Sequence, residues 1–137
     1  QKSRRRVGEG HVYQGRFKSF PVETDDYFYQ VIRYVERNAL HANLVERAED
    51  WQWTSLWRRE HGTADQRRWL GAWPLSRPRA WVDLVNDPQT DAELDSLRRC
   101  VNRGRPFGSD DWVDQTTTKL GLESTIRNRG RPRNAEL

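Results

Sequence analysis

Seven tryptophans have to carry much of what this chain can bury. Hydrophobic residues make up only 34% of it and the mean hydropathy is −1.07, so the core must be small and aromatic rings must fill much of it. At 137 residues there is room for one modest domain or two small modules.

The apolar residues fall into short runs between capping signals. Residues 1–10 are basic, contain glycine and show no periodicity, as expected of a loop or arm. His11–Val22 interleaves Tyr13, Phe17 and Phe20 with polar residues, which predicts one strand, or two short ones bent at Gly15, ending at Pro21. Thr24-Asp25-Asp26 starts a helix, with an oxygen cap and acids at the positive end of the dipole. Its apolar rows are Tyr27, Val31, Tyr34, Val35 and Phe28, Ile32, Val35; Arg33, Glu36 and Arg37 lie off that stripe, and the helix ends or kinks at Asn38. A further helical face carries Trp53 and Trp57, with Asp50 as its expected cap.

Residues 58–73 have charge runs and little periodicity and read as a linker, which sets a first unit at 1–57. A helical module follows over 74–121. Trp81, Leu84 and Val85 are spaced as a short helix, and Thr90-Asp91-Ala92-Glu93 is a capping box. The helix after that box carries Leu94, Leu97 and Val101 and stops at Gly104. Ser109-Asp110-Asp111 caps the next, with Trp112, Val113, Thr116 and Leu120 inward and Gly121 closing it. Residues 122–137 form a basic, polar tail.

Lys and Arg number 24 against 20 Asp and Glu, and all but Lys2, Lys18 and Lys119 of the 24 are arginine. Planar guanidinium groups suit phosphates and base edges, although a net charge of +4 describes a solvated surface equally well. The single cysteine, Cys100, excludes an internal disulfide and any cysteine-rich zinc site. No apolar run approaches a membrane span, so no membrane partner is expected. The chain has no methionine and opens at Gln1, which suggests a piece of a longer protein.

Tyr34 stands four residues before Asn38, so phenol and amide share a helical face. A tyrosine hydroxyl beside a neutral oxygen ligand can begin a metal-assisted phosphodiester nucleophile; the plainer reading is a core tyrosine. Tyr27 and Tyr29 have Val31 and Arg33 at the same offset, and neither is a neutral ligand. Arg16 and Lys18 flank Phe17 on the expected strand, as a phosphate contact or a solvated edge. The sequence Asn-Arg-Gly-Arg-Pro occurs at 102–106 and again at 128–132. An extended Arg-Gly-Arg-Pro can lie in a narrow minor groove. The tail copy, with Arg129, Arg131 and Arg133, suits that use, whereas the inner one reads as a helix stop. Residues 112–127 also permit a helix-turn-helix, or a plain helical hairpin.

The runs QGRFKSF, YVERNALHANLV and DWQWTSLW resemble the second half of the REP-associated tyrosine transposases, within the HUH single-strand DNA transposase superfamily. The run from Arg77 to Gly108, with the later LGLEST and RGRPR, is similar to the C-terminal extension of many members. The family often has Pro in place of Ala39 and Gly in place of Asn43. The resemblance implies an α+β fold, mostly helical in this chain: a truncated HUH (ferredoxin-like) catalytic remnant and a small C-terminal helical module. It implies that Tyr34 forms a 5′-phosphotyrosine with single-stranded or hairpin-forming DNA, and that Asn38 is one ligand of a divalent metal, Mg or Mn, in the intact protein.

The other family ligands come from a His-hydrophobic-His strand upstream. Here His11, His41 and His61 include no i, i+2 pair, so this chain alone is expected to bind no metal and to cleave no DNA. A homodimer through an open sheet edge and a cytoplasmic, nucleoid-associated location in a bacterium are further expectations. Two other readings stay open: a non-catalytic DNA-binding remnant, and a protein-interaction module built on the tryptophans.

Overall fold

The computed structural model describes residues 17–127. In chain order they form α1 (Asp26–Glu36), α2 (Asn38–His41), a 3-10 turn at Ala48–Asp50, α3 (Ser55–His61), α4 (Ala64–Arg67), α5 (Trp81–Asn86), α6 (Asp91–Arg103), α7 (Asp110–Leu120) and α8 (Glu123–Ile126). The described chain is mostly helical.

Capping chemistry sets most of the longer boundaries. Asp25 accepts the Tyr27 N–H at 2.9 Å and starts α1. Thr90 and Glu93 close a reciprocal capping box on α6, with the Glu93 N–H on Thr90 Oγ1 at 3.2 Å and the Thr90 N–H on Glu93 Oε2 at 2.8 Å. Gly104 ends α6 at φ 68°, a left-handed backbone that favours glycine. The inner Arg-Gly-Arg-Pro is therefore a helix stop, as read from the sequence. Ser109 precedes α7 without capping it; its N–H donates to Glu23 Oε2 at 2.7 Å instead. Thr54, not Asp50, caps α3, by accepting the Trp57 N–H at 3.2 Å. Trp53 is left outside that helix.

The strand expected over His11–Val22 does not form in its described part. Phe17–Pro21 lies outside any strand, and Val22 makes one isolated parallel bridge with Phe107. The Phe107 N–H donates to the Pro21 carbonyl and the Glu23 N–H to the Phe107 carbonyl, both at 2.9 Å. The physical limit is local: Pro21 has no N–H to extend a ladder, and past Phe107 the chain turns into α7. The packing is tight there, since a Cβ at Gly108 would lie 2.6 Å from the Trp112 ring and 2.7 Å from Glu23 Oε2. Residues 11–16 of the expected strand lie outside the described residues.

Two apolar clusters hold the helices. One joins Ala48, Leu56, Trp81 and Val85 with Tyr29, Ile32, Leu40 and Trp73; the other joins Leu97, Cys100 and Phe107 with Phe20, Val22, Tyr27, Val31 and Tyr34. Both therefore draw on α1 and on residues beyond position 74. The Tyr29 hydroxyl donates to the Ser76 carbonyl at 2.6 Å, and Arg77 pairs with Glu60 at 2.6 Å. Residues 58–73, expected as a linker, contain the end of α3, all of α4, and Trp73 packed edge-on to Trp81 at 4.9 Å.

The tryptophans divide. Trp81 is buried and Trp73 packs on it, but Trp53 and Trp69 are 69% and 76% exposed. Ala48, Leu56, Val85, Leu97 and Cys100 are buried alongside Trp81 and Phe107. Val35 faces solvent and Glu36 is buried, the reverse of the apolar stripe. In α7, Thr117 is buried while Leu120 is exposed.

Glu36 is 1% exposed. Its carboxylate accepts the Ser55 hydroxyl at 2.5 Å and the Trp81 indole N–H at 2.7 Å. Glu36→Ala should leave both donors unpaired, costing about 1–3 kcal/mol for each. Urea unfolding followed by tryptophan fluorescence measures that loss, and an unchanged midpoint would refute the account.

A second polar knot joins the 3-10 turn to α5. Asn86 Oδ1 accepts the Ala48 N–H at 2.9 Å, and Asn86 Nδ2 donates to Glu49 Oε2 at 2.7 Å. Arg47 lies 2.5 Å from the other Glu49 oxygen. Burial alone would raise the Glu49 pKa, but hydrogen bonds from Asn86 and Arg47 outweigh it, and the carboxyl is held below its ordinary 4.5. The lowered pKa stabilises the fold above pH 4.5, and this contribution is lost as pH falls through the folded-state value. Glu49→Gln should therefore lower the melting temperature at pH 7 and matter progressively less in melts below pH 4.5.

Candidate functional site: the Tyr34–Asn38 cleft

Tyr34 and Asn38 sit on an almost unbroken helical path. α1 ends at Glu36 and α2 begins at Asn38, but the intervening Arg37 keeps right-handed helical angles, φ −80° and ψ −10°. The Arg37 N–H bonds the Arg33 carbonyl and the His41 N–H bonds the Arg37 carbonyl, each at 2.9 Å. The i, i+4 placement expected from sequence thus survives the junction, and His41 extends the same face by another turn.

That face forms one wall of a cleft of about 180 Å³. Tyr34, Asn38 and His41 line one side; Pro88, Gln89 and Asp91, at the entry to α6, line the other. Two arginines hold the walls together. Arg37 Nη1 donates to the Val85 carbonyl at 2.9 Å and also to that of Asn86. Arg33 Nη2 donates to the carbonyls of Asp87 at 2.8 Å and Pro88 at 3.1 Å. These guanidinium groups satisfy carbonyls at the C-terminal end of α5. Burial, and next the Arg33 charge, push the Arg37 pKa down from its ordinary value, against the pull of Asp87.

The three described tyrosines of α1 have different surroundings. Tyr29 gives its hydroxyl to the Ser76 carbonyl. Tyr27 packs edge-on to Phe107 at 5.1 Å. Tyr34 is half-buried, leaning on the Leu97–Cys100–Phe107 cluster while bordering the cleft. Asn38 is exposed.

The other expected site residues do not join this cleft. Lys18 is exposed and is not one of its lining residues. The strand alternation that would orient Lys18 away from Phe17 is missing, because no strand forms at these positions. Arg16, Arg129, Arg131 and Arg133 lie outside the described residues, as does His11. The helix-turn-helix reading finds α7 followed by α8, a single turn of four residues.

The donor set does not by itself fit a resident divalent ion. Beside Asn38 the cleft offers one imidazole, His41, and one carboxylate, Asp91, and among the described residues no group of three His, Cys, Asp or Glu side chains could hold a metal. Also among the described residues, no helix is long and apolar enough to cross a membrane. Sequence reasoning missed Gln89 and Asp91. Their only signal was adjacency to the Thr90 capping box, which says nothing of what they face across some fifty residues of chain.

No family model, no curated protein and no solved structure gives a match to this chain.

Because Tyr34 is only half-buried and Phe keeps the ring, Tyr34→Phe should change stability by no more than about 0.5 kcal/mol. Leu97→Ala, at a fully buried position, should cost about 2–5 kcal/mol. Denaturant melts of the two variants give the comparison, and a larger loss for Tyr34→Phe would show that the hydroxyl is structural.

Proposed function

We propose that this chain is the later part of a tyrosine transposase of the HUH class, that it binds single-stranded or hairpin-forming DNA, and that Tyr34 is the nucleophile of the intact protein. The observation that carries the reading is the shared wall: Tyr34 and Asn38 both line one cleft, on the face that their spacing predicts. The intact enzyme would use a divalent ion, Mg or Mn, with Asn38 as one ligand, and such an ion would polarise a phosphodiester. Since the donors here do not complete that site, no cleavage step is assigned to the chain by itself. Its own contribution is to position the phenol at the cleft, through the grip of Arg33 and Arg37 on the end of α5.

A second reading, a non-catalytic DNA-binding remnant, has its own support. Tyr34 leans on the Leu97–Cys100–Phe107 cluster, which a purely structural tyrosine would also do. In both readings Arg16, Lys18, Arg129, Arg131 and Arg133 are assigned to phosphates, and the protein works in a bacterial cytoplasm, close to the nucleoid.

Binding of a fluorescent single-stranded oligonucleotide should weaken with salt, the log–log slope growing by about 0.7 per phosphate contacted. Tyr34→Phe should leave that affinity within about twofold, because the phenol is assigned to chemistry rather than grip. With Mg or Mn and a hairpin oligonucleotide, the chain should give no covalent adduct on a denaturing gel. An adduct that disappears in Tyr34→Phe would show that the chain is active alone, and absence of DNA binding at low salt would sink the whole reading.

A further inference from the structure

A second cleft, of about 300 Å³, opens at the other end of the seam between α1 and α6. Tyr34 borders the first cleft beside Asp91 and Leu94, early in α6. Tyr27, two turns before Tyr34 on the same face of α1, borders the second beside Ser96, Arg99 and Cys100. The charged residues of its lining are Arg99, Arg105 and Asp110.

The arginines of this region divide. Arg98 pairs with Asp95 at 3.5 Å, and Arg103 donates to the Arg127 carbonyl. Arg99 and Arg105 make no ion pair and no side-chain hydrogen bond among the described residues, Asp110 included. Exposed arginines without a partner occur elsewhere, Arg79 among them; what sets Arg99 and Arg105 apart is that they share one cleft. Their charged ends, as well as their stems, converge there. Burial pushes the Cys100 thiol pKa up, and the charges of Arg105 and Arg99 both pull against it, so both guanidinium groups lie close to one buried sulfur.

Two like charges brought to one place repel, and an oxyanion between them removes that cost. One guanidinium fork takes up both oxygens of a carboxylate, whereas the tetrahedral oxygens of a phosphate can meet forks from two sides. Tyr27 and Ser96 bring hydroxyl groups to the same lining. Along α1, Tyr27 lies about 10 Å from Tyr34, the length of roughly three stacked nucleotides at about 3.4 Å each.

We propose that Arg99 and Arg105 together bind one backbone phosphate of a DNA strand, in the cleft between α6 and the start of α7. This rests on the single-strand DNA reading above and adds a phosphate site to it. A contact of this kind positions the strand and reads no base.

The test measures binding of a fluorescent all-thymine oligonucleotide to the full chain at several salt concentrations. Arg99→Gln and Arg105→Gln should each weaken binding about tenfold. The double variant should flatten the log–log salt slope by about 0.7, the share of one phosphate. Arg98→Gln removes the same charge one residue away and should stay within about twofold of wild type. Arg99 is exposed, so Arg99→Gln should keep the wild-type melting temperature and carries the test even if Arg105→Gln melts early. Equal losses in Arg98→Gln and Arg99→Gln would reduce the effect to net charge and overturn the inference. So would an Arg99→Gln affinity equal to wild type, or a polyglutamate peptide that binds with the same loss, which would make the partner an acidic protein. Inorganic phosphate that raises the melting temperature of wild type but not of Arg99→Gln, with DNA affinity equal in the two, would give the cleft to a free phosphate and overturn the strand contact. Absence of DNA binding by wild type at low salt would instead remove the DNA reading on which the inference stands.

Discussion

The helices around the Tyr34 cleft depend on one buried carboxylate. Glu36 ends α1 and receives hydrogen bonds from Ser55 at the start of α3 and from Trp81 at the start of α5. A buried carboxylate is costly unless it is hydrogen-bonded. Here two donors from distant parts of the chain meet it, which fixes where three helix ends converge. With Trp81 anchored, α5 runs so that its last carbonyls face Arg33 and Arg37. One turn of α1 thus supplies a carboxylate to the start of α5 and guanidinium groups to its end. The cleft lies beside that clamp, and its two walls keep their separation because α1 and the entry to α6 are both tied to α5.

This clamp explains why the charged residues of α1 are poorly described as a solvated face. An Arg-rich chain invites the reading that its guanidinium groups await phosphate. Arg33 and Arg37 serve a helix end instead, and Arg77 is paired with Glu60. Some of the positive charge read from composition is therefore internal scaffolding, and the share left for any anionic partner is smaller than the arginine count suggests. Lys18 is one exposed candidate among the described residues.

What was legible in the sequence was local. The starts of α1 and α6 follow from Asp25 and from the Thr90–Glu93 box, and the ends of α6 and α7 from Gly104 and Gly121. In these cases signal and partner lie within one helical turn. The inversion of Val35 and Glu36 was not legible, because a buried glutamate is recognisable only by its donors, which come from Ser55 and Trp81. The place of Trp73 was hidden for the same reason. Trp73 has no periodic neighbours in sequence, yet it packs on Trp81 and on Phe28 of α1. The strand was misjudged from composition, since aromatic and β-branched residues favour a strand only where a partner backbone exists. Beyond Val22 and Phe107 no pairing continues among the described residues.

The site divides along the same line. Tyr34 and Asn38 are one turn apart, so their shared face was open to inspection, whereas the wall they face comes from Pro88 to Asp91 and needed the fold. This division bears on the two functional readings. A tyrosine kept only for packing would need the Leu97–Cys100–Phe107 cluster behind it and nothing in front. The opposing wall instead carries a polar side chain left unpaired at some cost to stability. In the proposed reading, the unpaired amide is the polar group that the opposing wall places near Tyr34.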